Sequence, residues 1–391
     1  MKTQVGIIGA GPAGLTLALL LHRIGVESVV LEDRSRDHVQ SRVRAGLLEH
    51  NTVELMHELG VGERLAREGL RHDGIYLRRL GRTLHVEIAE LTGRHVTIYG
   101  QQEVVKDLIG AALDRSIDVR FEVSGVAVHD LDGPRPRITF TEDGAEQELE
   151  CDFIGGCDGF HGVCRPSIPA GVLTEHEYVY PFSWLGILAE APPATDELIY
   201  AWHERGFALY TMRSSRISRL YLQVPSDEDL GRWSDARIWE ELQIRLTSED
   251  WRVNEGPVIE KGITAMRSFV CEPMQYGNLF LAGDAAHIVP PTGAKGLNLA
   301  VNDVRLLASA LGECYATGSR AELDGYSRTA LRRVWRAQDF SNYMTQLLHD
   351  LGRGEFDERL QLSRLEYLER SSSARASLAE NYAGLPASAD F

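Results

Sequence analysis

The chain has 391 residues, of which 43% are hydrophobic and 25% are charged, a composition typical of a folded protein with two or three domains. Its 41 basic and 57 acidic side chains give a net charge of -16, which disfavours nucleic acid and anionic membrane surfaces as partners. The five cysteines are odd in number and form no CxxC pair, so the sequence indicates neither a disulfide framework nor a zinc site. No apolar run approaches the length of about 18 residues that a membrane span needs, and we expect a cytoplasmic protein.

The N-terminal segment is typical of a dinucleotide-binding unit. The apolar run Val5–Ile8 predicts a strand buried on both faces. A helical pattern over 13–23 follows it, and then a second strand at Ser28–Leu31, which leads directly to Glu32. Three glycines in the spacing GxGxxG lie between strand and helix: Gly9, Gly11 and Gly14. In such a unit the glycines permit a tight turn, the approach of a pyrophosphate and close helix packing, and the acid binds a ribose diol. An ordinary strand-to-helix turn remains the alternative, and this motif does not distinguish FAD from a nicotinamide cofactor.

Two later segments decide between these cofactors. The first, at 157–165, has the sequence CDGFHGVCR after a strand-like run and resembles the Asp-Gly motif of flavoprotein hydroxylases. In the second, an apolar strand ends in Gly283 and Asp284, and PPTGAKGLN follows at 290–298. We expect Asp284 to accept hydrogen bonds from hydroxyl groups of FAD, and the backbone at Leu297 and Asn298 to face the flavin from a helix start. Each motif alone is also explained by a turn or a helix cap, but the three in this order favour FAD.

The chain resembles the class A flavoprotein aromatic hydroxylases nearly end to end. Besides the glycine loop, seven segments carry the resemblance: 42–46, 99–101, 156–162, 180–182, 205–209, 267–269 and 281–299. It implies an α/β fold in which a Rossmann-like FAD-binding domain is interleaved with a β-sheet substrate domain and followed by a C-terminal helical region. It also implies noncovalent FAD, NADPH or NADH as hydride donor, and O2. The implied reaction is hydroxylation of a small aromatic acid, 4-hydroxybenzoate, beside its phenolic hydroxyl by way of a flavin C4a-hydroperoxide.

The expected organisation has three parts. We predict an FAD-binding domain over 1–173 that is completed by 267–300, a substrate domain over 174–266, and a C-terminal region over 267–391. The elements predicted outside the cofactor motifs are antiparallel strands over 118–128 and 137–150, an alternating strand over 218–224, and helices over 298–311 and 323–347. The C-terminal helices are expected to complete the FAD site and to form a homodimer interface.

The resemblance also assigns a substrate pocket. A buried benzoate carboxylate needs a fixed counter-charge, and a guanidinium offers two parallel donors. By resemblance that group is Arg213, while Thr211 and Tyr221 add hydroxyl donors and Met212 belongs to the same wall. From the residues alone, an exposed hairpin turn remains an alternative for Arg213.

At the other end of the ring, the phenol must lose its proton, because electrophilic oxygen transfer needs an electron-rich carbon. The resemblance assigns Tyr200 to the phenolic oxygen, Tyr382 to the position behind it, and His72 to the solvent-side end of a proton relay. A histidine suits that end since its ordinary pKa of about 6.5 permits exchange with water near neutrality. The carbonyl of Pro291 is expected to accept from the phenol. Taken singly, each is an unremarkable core or surface residue.

The remaining predicted site residues concern the two cofactors. For FAD the resemblance adds Arg42, Arg44 and Gln101, and for the nicotinamide cofactor it adds Asp33, Arg34, His38, His161, Arg165 and Arg267. Asp33 departs from the family, where an arginine follows the ribose-binding acid, and its charge repels a 2′-phosphate. We therefore expect NADH to be accepted alongside NADPH. Surface ion pairing is the alternative for the basic residues.

The C-terminal segment from Ser371 is rich in small residues, as disordered termini are, yet 379–386 matches the family segment that carries Tyr382. We therefore predict that it is ordered. Two other functions remain open. A related FAD-dependent hydroxylase of another aromatic acid or phenol would keep the FAD motifs but change the pocket and relay. A flavin-binding sensor without oxygenase activity would lose relay residues.

Overall fold

The computed structural model of the protein describes residues 1–42, 46–248 and 251–385. Four residues of the family resemblance, Val43, Arg44, Ala45 and Pro386, lie outside the described residues. The fold is α/β, as predicted. Within the described ranges, no helix combines the length and the hydrophobicity that crossing a membrane requires.

The strands of the described residues are, in chain order, β1 Val5–Ile8, β2 Ser28–Leu31, β3 Leu47–Leu48, β4 Leu70–His72, β5 Ile75–Arg79, β6 Arg82–Val86, β7 Val96–Ile98, β8 Asp118–Arg120, β9 Ser124–His129, β10 Arg137–Glu142, β11 Ala145–Glu150, β12 Phe153–Gly156, β13 Thr174–Ala189, β14 Ile199–Trp202, β15 Ala208–Met212, β16 Ser218–Pro225, β17 Val258–Glu272, β18 Gln275–Tyr276, β19 Leu279–Leu281 and β20 His287–Ile288. The α-helices are α1 Pro12–Arg23, α2 Arg36–Ser41, α3 His50–Glu58, α4 Glu63–Glu68, α5 Ile88–Thr92, α6 Gln101–Asp114, α7 Asp235–Leu246, α8 Gly296–Thr317, α9 Ala321–Leu348, α10 Glu355–Arg370 and α11 Ser372–Ala383.

A six-stranded sheet with the order β18-β19-β12-β1-β2-β8 forms the first layer. Its strands are parallel except for β18 at the edge, and every residue of β1 and β12 is buried, as a sheet covered on both faces requires. The antiparallel prediction for 118–128 is wrong in its first part. β8 pairs in parallel with β2, because the helix α6 before it returns the chain to the same edge. The antiparallel excursion is confirmed for β9, β10 and β11.

The parallel strands bring the cofactor motifs together. Neighbouring parallel strands end at the same edge of a sheet, and ligands of open α/β sheets bind beyond their carboxyl ends. Gly9 follows β1, Glu32 follows β2, Asp158 follows β12 and Asp284 follows β19. These four strands are adjacent in the order β19-β12-β1-β2, so segments far apart in the chain line one edge.

An eight-stranded sheet with the order β20-β17-β13-β16-β15-β14-β5-β6 forms the second layer. Buried and partly exposed residues alternate along β16, which confirms the alternation predicted over 218–224. β5 and β6 also belong to this sheet, and β5 pairs in parallel with β14. Strands from the N-terminal segment thus enter the second sheet, which is the interleaving that the resemblance implied.

Helices complete the structure on the C-terminal side. The two helices predicted over 298–311 and 323–347 are confirmed, and α8 and α9 extend them in both directions. The C-terminal segment forms α11, which begins where the Ser371 hydroxyl accepts from the N–H of Ala374. Tyr382 near its end is fully buried. The described part of this segment is therefore ordered and contributes to the core around the second sheet.

Candidate active site

The glycine-rich loop after β1 has the shape that its spacing predicts. Gly9 has a φ of 104°, and a Cβ there would lie 2.4 Å from the carbonyl oxygen of Cys157. A Cβ on Gly14 would lie 1.9 Å from the carbonyl oxygen of Gly9, because α1 packs directly against the loop. In contrast, a Cβ on Gly11 would meet no atom within 4 Å. The two outer glycines are required by the backbone, and the middle one leaves room for a pyrophosphate.

The start of α1 and the end of β2 are suited to the same ligand. No side chain caps the first turn of α1, so its N–H groups remain directed at the space beside Gly11. Glu32 fastens the loop, since its carboxylate accepts from the N–H of Ala10 at 2.8 Å and from that of Arg34 at 3.0 Å. Burial raises the pKa of Glu32, Asp33 raises it further, and the two backbone N–H groups oppose them. A carboxylate has acceptor capacity beyond two bonds, which suits the predicted contact with a ribose diol.

Asp284 lies exposed in the one-turn 3₁₀ helix after β19, and a buried ion pair that the sequence analysis missed holds this turn. Asp303, inside α8, accepts from the N–H of Gly283 at 3.0 Å and lies 2.6 Å from Nε2 of His287. Burial opposes a positive charge on His287, but the contact with Asp303 outweighs it and raises the pKa of His287. The sequence did offer one sign of this pair, since Asp303 lies on the buried side of an apolar helix, where a charge without a partner is unfavourable.

The start of α8 also lacks a side-chain cap, as expected for a helix end that faces a flavin. The side chain of Asn298, however, is fully engaged. Its Nδ2 donates to the carbonyl oxygens of Leu47 and Ala294, both at 3.0 Å, and its Oδ1 accepts from the N–H of Glu49 at 2.8 Å. Asn298 and its neighbour Leu297 can therefore offer their backbone to FAD, while the Asn298 side chain ties α8 to the segment after β3.

Lys295, at the start of α8, is a buried charge that sequence analysis also missed. Its Nζ donates to Glu49 at 2.5 Å and to the carbonyl oxygen of Tyr382 at 3.0 Å. The pair joins the loop, the segment after β3 and α11. In the same loop Pro291 is exposed, and its carbonyl oxygen accepts from the N–H of Ala294 at 2.9 Å. A carbonyl oxygen has two lone pairs, so Pro291 keeps one for a phenol.

Tyr200 and Tyr382 come together from β14 and α11. Their hydroxyl oxygens are 2.8 Å apart, and both side chains are fully buried. Burial raises the pKa of each phenol above its ordinary value, so both are protonated at neutral pH. The pair is a neutral chain of hydroxyl groups that can pass a proton when a neighbour supplies or accepts one.

His72 does not lie at the solvent surface, and that part of the prediction is wrong. Its exposed fraction is 0%, and neither ring nitrogen has a hydrogen-bond partner among the described residues. Burial lowers the pKa of His72 to about 4, although Asp196 and Asp73 oppose this. The burial of His72 could not be predicted from the sequence, because β4 has only three residues and the groups that shield it from solvent come from other parts of the chain.

The register of the second sheet places the predicted pocket residues. Tyr200 in β14 lies opposite Leu209 in β15, which lies opposite Tyr221 in β16, so these three side chains share one face. Thr211, two residues beyond Leu209, points to the same face. Met212, the next residue along, points to the opposite face, so only its backbone can lie on this surface. The face that carries the tyrosines is the candidate substrate surface.

Arg213 follows β15 at the end of this surface. Its Nη1 donates to the carbonyl oxygen of Met212 at 3.1 Å, and its Nε is shielded from solvent without a hydrogen-bond partner. Burial lowers the pKa of Arg213 and the like charge of Arg219 adds to this, while Tyr221 opposes it. No ion pair among the described residues includes Arg213, so the surface carries a positive charge without a counter-ion.

One group of residues predicted for the nicotinamide cofactor surrounds Phe160. The guanidinium carbons of Arg165 and Arg267 lie 4.5 and 5.0 Å from the centre of its ring, and His161 contacts the ring edge-on. Arg165 already donates to the carbonyl oxygens of Ala285 at 3.1 Å and of Phe160 at 2.9 Å. Its guanidinium is thus largely engaged within the protein, whereas His161 is exposed.

The other predicted cofactor residues lie after β2, directly after α2 and at the start of α6. Asp33, Arg34 and His38 are exposed, and Arg34 pairs with Asp33 at 3.5 Å. Arg42 is exposed directly after α2, and Gln101 is the half-buried first residue of α6. The contacts of the described residues do not link these side chains to the Phe160 group.

Comparison with known proteins agrees with this architecture. Residues 2–341 match the family model described as FAD binding domain. The chain is 50% identical to a p-hydroxybenzoate hydroxylase from Acinetobacter baylyi, with 99% of this chain and 96% of that protein covered. A 4-methyl-5-nitrocatechol 5-monooxygenase from a Burkholderia species is 26% identical, with 89% of this chain and 68% of that protein covered. The crystal structure of p-nitrophenol 4-monooxygenase from Pseudomonas putida has a TM-score of 0.84 over 98% of this chain and 99% of that chain. Its 17% identity supports the fold alone.

The burial of His72 predicts a specific pH dependence of stability. The folded pKa of about 4 lies below the ordinary 6.5, so the unfolded chain binds a proton more readily, and stability falls as pH drops from 6.5 towards 4. The full effect is about 3 kcal/mol. We expect His72→Asn to reduce this slope in urea unfolding series between these pH values, and the remaining slope to come from other buried histidines such as His349, whose pKa burial lowers to about 3. His22→Asn, at an exposed histidine, should leave the slope unchanged. An unchanged slope in His72→Asn would show that His72 does not titrate as a buried group.

Proposed function

The chain belongs to the family of flavoproteins that share this FAD-binding domain, and we propose that it hydroxylates 4-hydroxybenzoate at C3 to give 3,4-dihydroxybenzoate. It is an FAD-dependent aromatic monooxygenase that uses NAD(P)H as reductant. The observation that carries the proposed substrate is the guanidinium of Arg213, which lies on the candidate substrate surface, forms no ion pair with any of the described residues and has a shielded Nε without a hydrogen-bond partner. The 50% identity to a p-hydroxybenzoate hydroxylase supports the same substrate.

The carboxylate of the substrate is proposed to bind at Arg213. A guanidinium that loses water on burial gains most from an anion that accepts two of its N–H groups. Thr211 and Tyr221 lie on the same face and add hydroxyl donors for the remaining lone pairs. This end of the pocket therefore favours a carboxylate over a neutral group.

The phenolic hydroxyl is proposed to lie at Tyr200, two strands away from Tyr221 on the same face. Tyr200 accepts the phenolic proton as it passes its own to Tyr382, so the pair moves a proton without holding a charge. The second lone pair of the Pro291 carbonyl orients the phenol. His72 is proposed to be the next member of the proton path, reached through water, since neither of its ring nitrogens has a hydrogen-bond partner among the described residues. Because burial lowers its pKa to about 4, His72 would pass the proton on to water rather than keep it.

The FAD cofactor is proposed to lie along the edge where the four parallel strands end. The loop at Gly11 and the start of α1 would hold the pyrophosphate, and Glu32 and Asp284 would bind hydroxyl groups of the ribose and ribityl chains. The uncapped start of α8 would face the flavin, where its N–H groups favour negative charge. When bound, FAD accepts a hydride from NAD(P)H and activates O2 for transfer to the aromatic ring.

The nicotinamide cofactor is proposed to be NADH as well as NADPH. Asp33 is exposed directly after the ribose-binding acid, and its charge repels a 2′-phosphate. It also forms an ion pair with Arg34, which is then less available to bind that phosphate. His161, Arg165 and Arg267 around Phe160 are proposed to receive the remaining phosphates.

We further propose that the protein is a cytoplasmic homodimer. All five cysteines are free thiols, as is typical of a reducing compartment. Five large apolar side chains lie exposed on α9 and α10: Trp335, Tyr343, Phe356, Leu360 and Tyr367. An exposed apolar surface of this size favours association with a second copy.

The proposed function is tested by oxidation of NADH and NADPH by the FAD-loaded protein with and without 4-hydroxybenzoate, with chromatography of the product. We expect strong stimulation by 4-hydroxybenzoate and formation of 3,4-dihydroxybenzoate with either cofactor. A kcat/KM that favours NADPH by more than about a hundredfold, or ~2.7 kcal/mol, would rule out relaxed preference. Stimulation without hydroxylated product would make 4-hydroxybenzoate an effector only, and no stimulation would favour another aromatic substrate or a sensor.

The role of Tyr200 is tested by Tyr200→Phe, which keeps the ring and removes the hydroxyl. We expect 4-hydroxybenzoate still to bind, but the absorption of its bound phenolate to decrease and hydroxylation to slow by roughly a hundredfold, as for loss of a general base. Tyr210→Phe is the matched control, since Tyr210 is a buried neighbour on the opposite face that bonds the Ala194 N–H. Normal phenolate formation in Tyr200→Phe would contradict the assignment.

A further inference from the structure

One face of α9 carries three buried polar side chains: Gln338, Ser341 and Thr345. They recur at intervals of three and four residues, so they lie above one another along the helix. Buried polar groups are unfavourable unless they meet partners. All three contact the segment 288–293, which comprises the end of β20 and the loop between β20 and α8.

Two of these contacts hold the ends of that segment. Gln338 donates to the carbonyl oxygens of Phe269 at 3.1 Å and of Ile288 at 2.7 Å, which fixes the segment where it leaves the second sheet. A Cβ on Gly293 would lie 2.6 Å from Oγ of Ser341, so the loop backbone packs directly against the helix. The position of the loop is therefore set by α9.

The third contact is a hydrogen bond between two buried threonines. The hydroxyl oxygens of Thr292 and Thr345 are 2.9 Å apart, and both residues have an exposed fraction of 0%. The hydroxyl oxygen of Thr345 also lies 2.7 Å from the carbonyl oxygen of Ser341. Since a hydroxyl group carries one proton, Thr345 donates to this carbonyl and accepts from Thr292. Thr292 thus donates the bond that fastens the loop to α9.

This bond acts on the carbonyl group of Pro291. Pro291 and Thr292 share the planar peptide unit that contains this carbonyl. The proline ring fixes its own φ, and an anchored Thr292 restricts the rotations that remain. Ala294, after the turn, has a φ of 54°, which is uncommon for a residue other than glycine. The turn therefore depends on contacts from outside it, and the pair of threonines is the contact next to the carbonyl.

We propose that Thr345 is a positioning residue for hydroxylation, which through Thr292 directs the Pro291 carbonyl towards the phenolic hydroxyl of the substrate. This inference rests on the proposed function. A carbonyl oxygen accepts a hydrogen bond from a neutral phenol but not from a phenolate. A correctly directed carbonyl therefore favours the neutral form and holds the ring in place until the proton leaves.

The test measures bound phenolate by absorption, at constant pH, in the FAD-loaded full chain saturated with 4-hydroxybenzoate, and the yield of 3,4-dihydroxybenzoate per NADH oxidised. Thr345→Val keeps the shape of the side chain and removes the hydroxyl. We expect the ratio of phenolate to phenol to rise by roughly fivefold, as for loss of one hydrogen bond to the neutral form, and the yield to fall. This rise is opposite to the decrease expected for Tyr200→Phe. Thr345→Ser, which retains the hydroxyl, should restore both values.

Two further variants separate positioning from stability. Thr292→Val removes the other partner and should give the same ratio, and the double variant should not exceed either single one, because each loses the same bond. It also provides the test if Thr345→Val does not fold. Ser327→Ala is the matched control, since Ser327 is a buried hydroxyl near the start of α9 that accepts from the N–H of Met274 at 2.9 Å. It should lower the melting temperature without changing the ratio.

Two results in a chain that forms 3,4-dihydroxybenzoate would overturn the proposal alone. The first is an unchanged ratio in the valine variants of Thr292 and Thr345. The second is an equal rise in Ser327→Ala, which would show that the ratio follows stability. If the unaltered chain forms no 3,4-dihydroxybenzoate, the proposed function fails, and this inference fails with it.

Discussion

The charge of Arg213 on the pocket face of the second sheet is the constraint on which the substrate assignment depends. A guanidinium that is partly desolvated and has no carboxylate partner is unfavourable until an anion enters. The register of β14, β15 and β16 places Tyr221 beside it and Tyr200 beyond, on one continuous face. That face therefore suits the proposed substrate, a flat ligand with a carboxylate at one end and a hydroxyl group at the other.

The loop between β20 and α8 joins this surface to the cofactor edge. Asn298 bonds the backbone at Leu47 and Glu49, and Lys295 bonds Glu49 and the carbonyl oxygen of Tyr382. These contacts connect the start of α8, which is proposed to face the flavin, with the helix that carries Tyr382. A change in this loop is therefore expected to act on the cofactor and on the proton path together.

Local geometry explains which features could be predicted from sequence. Gly9, Gly14 and the strands around them were predictable because tight turns and close helix packing restrict residue type at fixed spacing. The pairs of Asp303 with His287 and of Lys295 with Glu49 were not, since their partners meet only in the folded chain. Family resemblance assigned Met212 to the pocket wall but could not show which way its side chain points. Strand alternation shows that Met212 and its neighbour Thr211 face opposite ways.

The most direct test of this account compares the affinity of the FAD-loaded protein for 4-hydroxybenzoate and for its neutral counterpart, 4-hydroxybenzamide, by equilibrium titration. The account predicts that the carboxylate binds about 30-fold more tightly, or roughly 2 kcal/mol, as for hydrogen bonds to a charged group. Arg213→Gln should abolish that preference with FAD still bound, while Arg216→Gln, at an exposed arginine of the same turn, should retain it. Equal affinities in the unaltered protein, or a preference that survives in Arg213→Gln, would contradict the central role of this buried charge.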